Sequence, residues 1–94
     1  MSYVLIARWT AAPGNEERVE QALRALARTT RAEAGCRAYD LFQNMETPCE
    51  FALVEEWEGE AAHEAHMRAP HVQRMLAEAG PFLAAPPEIR RYPA

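Results

Sequence analysis

The pattern of hydrophobic and polar positions predicts β-strands in three segments of the chain, each bounded by turn residues. The segments are residues 3–10, 36–43 and 50–57, and a fourth short strand is expected in "PPEIRRY" near the end. Both alternating sets of the first segment are largely apolar, which is typical of a strand covered on both faces. The second and third segments are joined by "NMETPC", whose Asn, Thr and Pro favour a hairpin loop.

A period of 3.6 residues replaces the alternation after the first strand and predicts a helix over residues 16 to about 32. Asn15 stands where an N-cap is expected, and Gly35 follows the predicted helix as a C-terminal cap does. A second helical region is divided by Pro70, because proline disfavours helical geometry in the residue before it and suits the first turn of a new helix. We therefore expect two further helices, 60–68 and 70–79.

The resulting order, β-α-β-β-α-β, defines an α+β, ferredoxin-like fold with an antiparallel sheet and its helices on one face. The length of 94 residues is that of a single domain, 1–94. The second face of the sheet carries Val4, Ile6 and, by alternation, one set of the apolar residues of the hairpin strands. Because a large apolar face is not left in water, we expect a homodimer in which two sheet faces pack together.

Charge and composition narrow the partners and the compartment. The chain has 10 basic and 14 acidic side chains, and its net charge of −4 argues against nucleic acid or an anionic membrane as a partner. The opening "MSYVLIARWT" has neither a basic leader nor an apolar run of signal-peptide length, and no transmembrane segment is predicted. Two cysteines without a Cys-x-x-Cys motif favour reduced thiols over a disulfide framework. We therefore expect a cytoplasmic protein.

Three stretches, "AGCRAYDLFQN", "FALVEEWEGEAAHEAHMRAPHVQ" and "LAAPPEIRRY", resemble the antibiotic biosynthesis monooxygenase domain family, in particular its quinol monooxygenase-like members. The resemblance extends from Tyr3 to Tyr92, and His66 and His71 match the two histidines of the family. It implies a dimeric α/β barrel. Family members include oxygenases that oxidise quinols or polycyclic phenols without metal or flavin, haem-degrading oxygenases and an isomerase. His63 is a departure, since similar relatives usually carry a leucine there.

Neither a metal nor haem is expected. His63 and His66 are three residues apart, whereas a spacing of four chelates better, and no cluster of Glu or Cys accompanies them at a suggestive distance. The haem-degrading relatives use a first-strand asparagine, a second-helix tryptophan and a later histidine. The tryptophans of this chain, Trp9 and Trp57, lie in predicted strands, and His71 is the last histidine. The resemblance therefore implies chemistry without a cofactor.

His66 is the favoured general base. Its place in the helical pattern predicts that it faces the sheet, and a neutral imidazole accepts a phenolic proton near neutral pH. The substrate that the resemblance implies is a quinol or another phenolic aromatic, oxidised by molecular oxygen. Candidate substrate-binding residues are His71, Trp57, Tyr39, Phe42 and Arg8. A structural role stays open for His66 and His71, and His63 is expected to be partly solvated.

Two other functions stay open. One is a non-catalytic dimeric barrel that binds a small molecule, and the other is an isomerase of a small carbonyl compound that uses the same histidine. A closed apolar cavity lined by His66 beneath the second helix would favour an enzyme. A solidly packed contact between helix and sheet at that place would favour the non-catalytic alternative.

Overall fold

A computed structural model describes residues 2–92, which form a four-stranded sheet and three α-helices. The elements in chain order are β1 Tyr3–Thr10, α1 Glu16–Thr30, β2 Cys36–Gln43, β3 Glu50–Trp57, α2 Glu60–Arg68, α3 Pro70–Ala79 and β4 Glu88–Tyr92. The strand order is β2-β3-β1-β4, and each neighbouring pair is antiparallel. The predicted α+β, ferredoxin-like fold is confirmed, while both ends of the predicted domain 1–94 lie outside the described residues.

The helix bounds agree with the sequence pattern except at the end of α1. This helix ends at Thr30, and the amides of residues 32 and 33 bond the carbonyls three residues earlier, as in a tightening last turn. Gly35 has a φ of +82° and lies in the turn that leads to β2, where the Cys36 amide donates to the Glu33 carbonyl. Gly35 therefore shapes this turn and is not the cap that directly ends α1.

The core lies between one face of the sheet and the three helices. Every second side chain of each central strand points towards the helices, as the two-residue period of a strand requires. The largest fully buried side chains of the core are Trp57, Tyr39, Leu5, Leu23, Leu53, Val19 and Thr30. Burial of each large apolar side chain contributes about 1.5–3 kcal/mol. None of the helices formed by residues 2–92 combines the length and the apolar composition that crossing a bilayer requires.

The other face of the sheet, which we call the outer face, mixes apolar and charged side chains. Ile6 and Val54 are cross-strand partners at its centre, and both are partly buried in the single chain. Phe42 is 56% exposed and Tyr92 is 45% exposed towards its edges. Arg8 lies on the same face and is exposed. An apolar centre is therefore present, as predicted, but it has a charged surround.

Candidate functional site

Six rings, which come from the strands β1, β2 and β3 and the helices α2 and α3, meet beneath α2. We call this group the ring cluster. Its centre is His66, whose ring centroid is 4.8 Å from Trp57 and 5.5 Å from Tyr39. Neighbouring ring centroids in the cluster are no more than 6.2 Å apart. The members are Tyr3, Tyr39, Trp57, His63, His66 and His71. The histidine rings of the cluster are thus packed against the aromatic rings of Tyr3, Tyr39 and Trp57.

The break between α2 and α3 brings two of the histidines together. Ala69 has an extended backbone (φ −63°, ψ 141°), and Pro70 is the first residue of α3. Residues five apart in an unbroken helix point about 140° away from each other. Here the ring centroids of His66 and His71 are 6.0 Å apart. The proline predicted this break, and the break creates the convergence.

Glu33 binds and orients His66. The Nδ1 atom of His66 lies 2.5 Å from Oε2 of Glu33, so that Nδ1–H donates to the carboxylate and the lone pair of a neutral ring remains on Nε2. Burial lowers the pKa of His66, and its hydrogen bond to Glu33 opposes that shift. The His66 side chain is 3% exposed and that of Glu33 is 21% exposed. The pair is a buried base with a half-buried acidic partner.

The same carboxylate also approaches His71. Nε2 of His71 lies 3.6 Å from Oε2 of Glu33 and 3.3 Å from the Thr30 hydroxyl oxygen. The His71 side chain is 22% exposed and helps to line a pocket of about 320 Å³ between α1 and α3. Glu33 and His71 therefore lie at the solvent-facing edge of the ring cluster, between His66 and solvent.

A second acid–histidine pair lies deeper, against β3. Trp57 Nε1 donates to Oε1 of Glu55 at 3.0 Å, and Nε2 of His63 is 4.0 Å from the same oxygen without a hydrogen-bond partner. Burial raises the pKa of Glu55 to about 7. Burial also lowers the pKa of His63 to about 4, with the nearby His66 and Arg91 adding to the shift. Both groups are therefore neutral at mildly acidic pH.

His63 differs from the partly solvated position expected for it, since it is 3% exposed. Residues three apart share one face of a helix, so His63 turns towards the sheet together with His66. Its ring centroid lies 5.8 Å from Tyr3 and 5.9 Å from Trp57. The ring fills core space, but its Nε2 has no hydrogen-bond partner.

Four of the predicted site residues meet in the ring cluster, and two do not. His66, His71, Trp57 and Tyr39 belong to it. Arg8 and Phe42 lie elsewhere and help to line a separate pocket of about 510 Å³. Tyr39 and Phe42 are three positions apart in β2 and so face opposite sides of the sheet, and Arg8 is on the outer face with Phe42. The sheet therefore separates these two residues from the histidines in the single chain, and their substrate-binding role stays a prediction.

Sequence reasoning missed Glu33 and Thr30. Glu33 lies in a linker between α1 and β2, where an acidic residue between alanines carries no recognisable motif. The turn containing Gly35 directs this linker against α2, and an added Cβ at Gly35 would lie only 2.7 Å from the Ala62 Cβ. This close approach sets the position of the Glu33 carboxylate. The glycine at position 35 is the local sequence feature that could have indicated such a turn.

The space beneath α2 is filled by side chains. His66 is 2% exposed, and its ring is enclosed by the rest of the ring cluster. Five surface pockets of residues 2–92 have volumes of about 320 to 530 Å³, and His66 lines none of these five. A substrate can reach His66 only if part of the cluster moves.

These features define a class: ferredoxin-like α+β proteins with a carboxylate-paired histidine between helix and sheet. The chain belongs to the antibiotic biosynthesis monooxygenase family, whose match covers residues 2–78. It is 32% identical over 79 residues to a Bacillus subtilis protein named "Putative monooxygenase YcnE", covering 84% of this chain and 83% of that protein. It is 33% identical over 82 residues to "Putative monooxygenase Rv0793" of Mycobacterium tuberculosis, covering 87% and 80%.

Solved structures are similar over nearly the whole chain. The crystal structure of PA3566 from Pseudomonas aeruginosa superposes with a TM-score of 0.92 at 38% identity, covering 99% of this chain and 93% of that one. The family match and the names of the relatives support a monooxygenase-like role.

Proposed function

We propose that this protein is a cofactor-independent monooxygenase that oxidises a quinol or another phenolic aromatic with molecular oxygen in the cytoplasm. One observation carries the proposal: the Glu33 carboxylate holds Nδ1 of His66 at 2.5 Å within a cluster of aromatic rings. This contact fixes the tautomer whose Nε2 accepts a proton. Oxygen chemistry is supported by the family and by the names of its members. Free thiols at Cys36 and Cys49 support the cytoplasmic setting.

The proposed reaction begins with transfer of the phenolic proton to Nε2 of His66. The phenolate then passes an electron to O₂, and the resulting radical pair forms a carbon–oxygen bond as a hydroperoxide. Cleavage of the O–O bond leaves one oxygen atom on the ring and releases the other as water. The quinol supplies all four electrons, so that quinol and O₂ give hydroxyquinone and water. The proton on His66 leaves with that water.

The surrounding residues have separate roles in this proposal. Trp57 and Tyr39 are flat walls for an aromatic substrate. Burial, with the charge of Glu55 adding to it, raises the pKa of the Tyr39 phenol, so Tyr39 stays protonated and does not compete as a base. His71 binds the substrate at the outer edge. Because the cluster is closed, part of it has to move before a substrate can reach His66.

Replacement of the proposed base, His66, tests whether the protein is an enzyme. We expect His66→Gln to lower the rate of oxygen consumption about 100-fold or more, since general-base catalysis contributes about 10²–10⁴-fold. The assay is oxygen uptake with a panel of hydroquinones and anthrones in the presence of a metal chelator. Glu64→Gln, on the exposed side of α2, is the matched control and should retain the wild-type rate. A wild-type rate no faster than autoxidation, or an unaffected His66→Gln variant, would refute the proposal.

The filled space beneath α2 favours the other function, a non-catalytic dimeric barrel in which His66 is structural. The oxygen-uptake assay separates the two, because such a barrel gives no rate above autoxidation for any substrate. Thermal unfolding of His66→Gln adds a second readout. A structural histidine whose loss lowers stability without any activity to lose would establish the non-catalytic alternative.

We also propose a homodimer formed through the outer face. Ile6 and Val54 supply its apolar centre, and Phe42 and Tyr92 extend it with exposed aromatic surface. We expect a sedimenting mass near twice the 10.6 kDa of one chain at micromolar concentration. Val54→Arg should yield a monomer. Gln21→Arg, which introduces the same charged side chain on the exposed side of α1, should leave the dimer intact. A wild-type mass of one chain would exclude this dimer.

A further inference from the structure

We propose that Glu33, His66 and His71 together bind a divalent transition-metal ion. Each residue offers one ligand atom, and the three atoms lie within 4.8 Å of one another. Two imidazole nitrogens and a carboxylate oxygen suit zinc, iron, cobalt, nickel or copper. The sequence argument against a metal concerned His63 and His66 on one helix. The ligand set found here joins the α1–β2 linker, α2 and α3, and His63 is not part of it.

The distances from the Glu33 carboxylate to the two imidazoles, 2.5 and 3.6 Å, lie on either side of the distance expected around a coordinated ion. Ligand atoms in a tetrahedral site are about 3.3 Å apart when metal–ligand distances are about 2.0–2.1 Å. Oε2 of Glu33 is 3.6 Å from Nε2 of His71 and 2.5 Å from Nδ1 of His66. A small retreat of the Glu33 carboxylate therefore opens the space that an ion needs. Three protein ligands leave a further coordination position for water.

The surroundings allow an ion to enter and to be held. Glu33 and His71 are about one-fifth exposed, so the site opens to solvent on their side, while His66 closes it on the inner side. The Thr30 hydroxyl is 3.3 Å from Nε2 of His71, the atom that would bind the ion, so this contact is given up when the ion binds. The Glu33 carboxylate supplies negative charge next to both imidazoles.

A bound ion has a consequence for the proposed base, and this step rests on the proposed function. The ion takes the lone pair of Nδ1, so the proton that Nδ1 donated to Glu33 must leave that atom. A neutral, metal-bound imidazole carries its proton on Nε2. Nε2 then donates a hydrogen bond and can no longer accept a phenolic proton. Metal binding and base catalysis at His66 therefore exclude each other, and the ion inhibits oxidation.

The binding test uses the full-length protein freed of metal with a chelator. Isothermal titration with Zn²⁺ should give one ion per chain, and Co²⁺ should give visible absorption without a thiolate charge-transfer band. Loss of a single ligand in His71→Ala or Glu33→Gln should weaken binding at least about tenfold. Glu58→Gln, an exposed carboxylate change near the same turn, is the control and should bind normally. Circular dichroism of each variant checks its fold.

Three outcomes overturn the site: no binding, equal affinity in the ligand variants and wild type, or a thiolate band that assigns the ion to Cys36 or Cys49. The inhibition is tested separately by oxygen uptake, where one equivalent of Zn²⁺ should abolish the metal-free rate and chelator should restore it. Unchanged uptake with Zn²⁺ bound would overturn the inhibition alone. Binding without any metal-free oxidation would overturn the proposed function and leave the metal site standing. Oxidation that requires the metal would overturn the cofactor-independent reaction.

Discussion

Replacing Gly35 by alanine is expected to destabilise the folded chain by about 3 kcal/mol, from a left-handed backbone penalty of about 1–2 kcal/mol and overpacking of about 1–3 kcal/mol. The φ of Gly35 is +82°, a conformation that side chains other than glycine rarely adopt. The new Cβ would lie 2.7 Å from the Ala62 Cβ, on the helix that carries His66. Urea unfolding of the variant and the wild type measures the difference.

Two further variants separate the causes. Gly14 has a φ of +86° but nothing within 4 Å of an added Cβ, so Gly14→Ala should show only the backbone penalty. Adding Ala62→Gly to Gly35→Ala removes the clash and should recover part of the loss. Equal destabilisation in Gly14→Ala and Gly35→Ala would show that the contact with α2 is unimportant. The turn that positions Glu33 would then have to be explained by the backbone alone.

Replacing Glu55 by glutamine is expected to stabilise the protein by about 3 kcal/mol above neutral pH and to change little in acid, since each pKa unit is worth about 1.4 kcal/mol. Burial raises the folded pKa of Glu55 from 4.5 to about 7, so the wild type loses stability as pH rises between these values. Glutamine has no charge to bury and still accepts the Trp57 Nε1–H hydrogen bond. The charged and titratable neighbours are His63 from α2, Tyr39 from β2 and Glu33.

His63 shifts in the opposite sense, which hides both effects in the wild type. Its folded pKa is lowered from 6.5 to about 4, so it contributes stability that is lost as pH falls through this window. Between about pH 4.5 and 6.5 the two slopes nearly cancel. Because the lowered pKa of His66 acts in the same sense as that of His63 in both proteins, the Glu55→Gln variant should lose more stability on acidification than the wild type does. Urea unfolding across pH checks this, with exposed Glu50→Gln as a control; parallel curves for Glu55→Gln and wild type would contradict it.

Local patterns accounted for most of the fold. The three longer strands and the helices α2 and α3 begin and end where the apolar runs, the turn residues, the 3.6-residue period and Pro70 predicted. These signals suffice because each depends on neighbouring residues of one segment. The end of α1 was predicted two residues late, since the tightening of its last turn leaves no mark in the apolar stripe. The Asn15 side chain likewise occupies the N-cap position without making a capping hydrogen bond.

The candidate site was predictable only in part. His66 was singled out by its helical position and by the family resemblance, and it does face the sheet. Arg8 and Phe42 were grouped with it because their residue types suit a phenolic substrate. The pleat of the sheet puts them on the opposite face. Residue type alone therefore could not separate members of the ring cluster from residues of the outer face.

The sequence by itself determined the elements of this protein, their order and the break at Pro70, because periodicity and backbone restrictions act over a few neighbouring residues. Only the tertiary structure decided that Glu33 meets His66 and His71, since these residues are 33 and 38 positions apart and come from separate elements. Their meeting depends on the Gly35 turn packing against α2, a long-range contact. The chemistry proposed for this site, base or metal ligand, arises from that contact and not from any local motif.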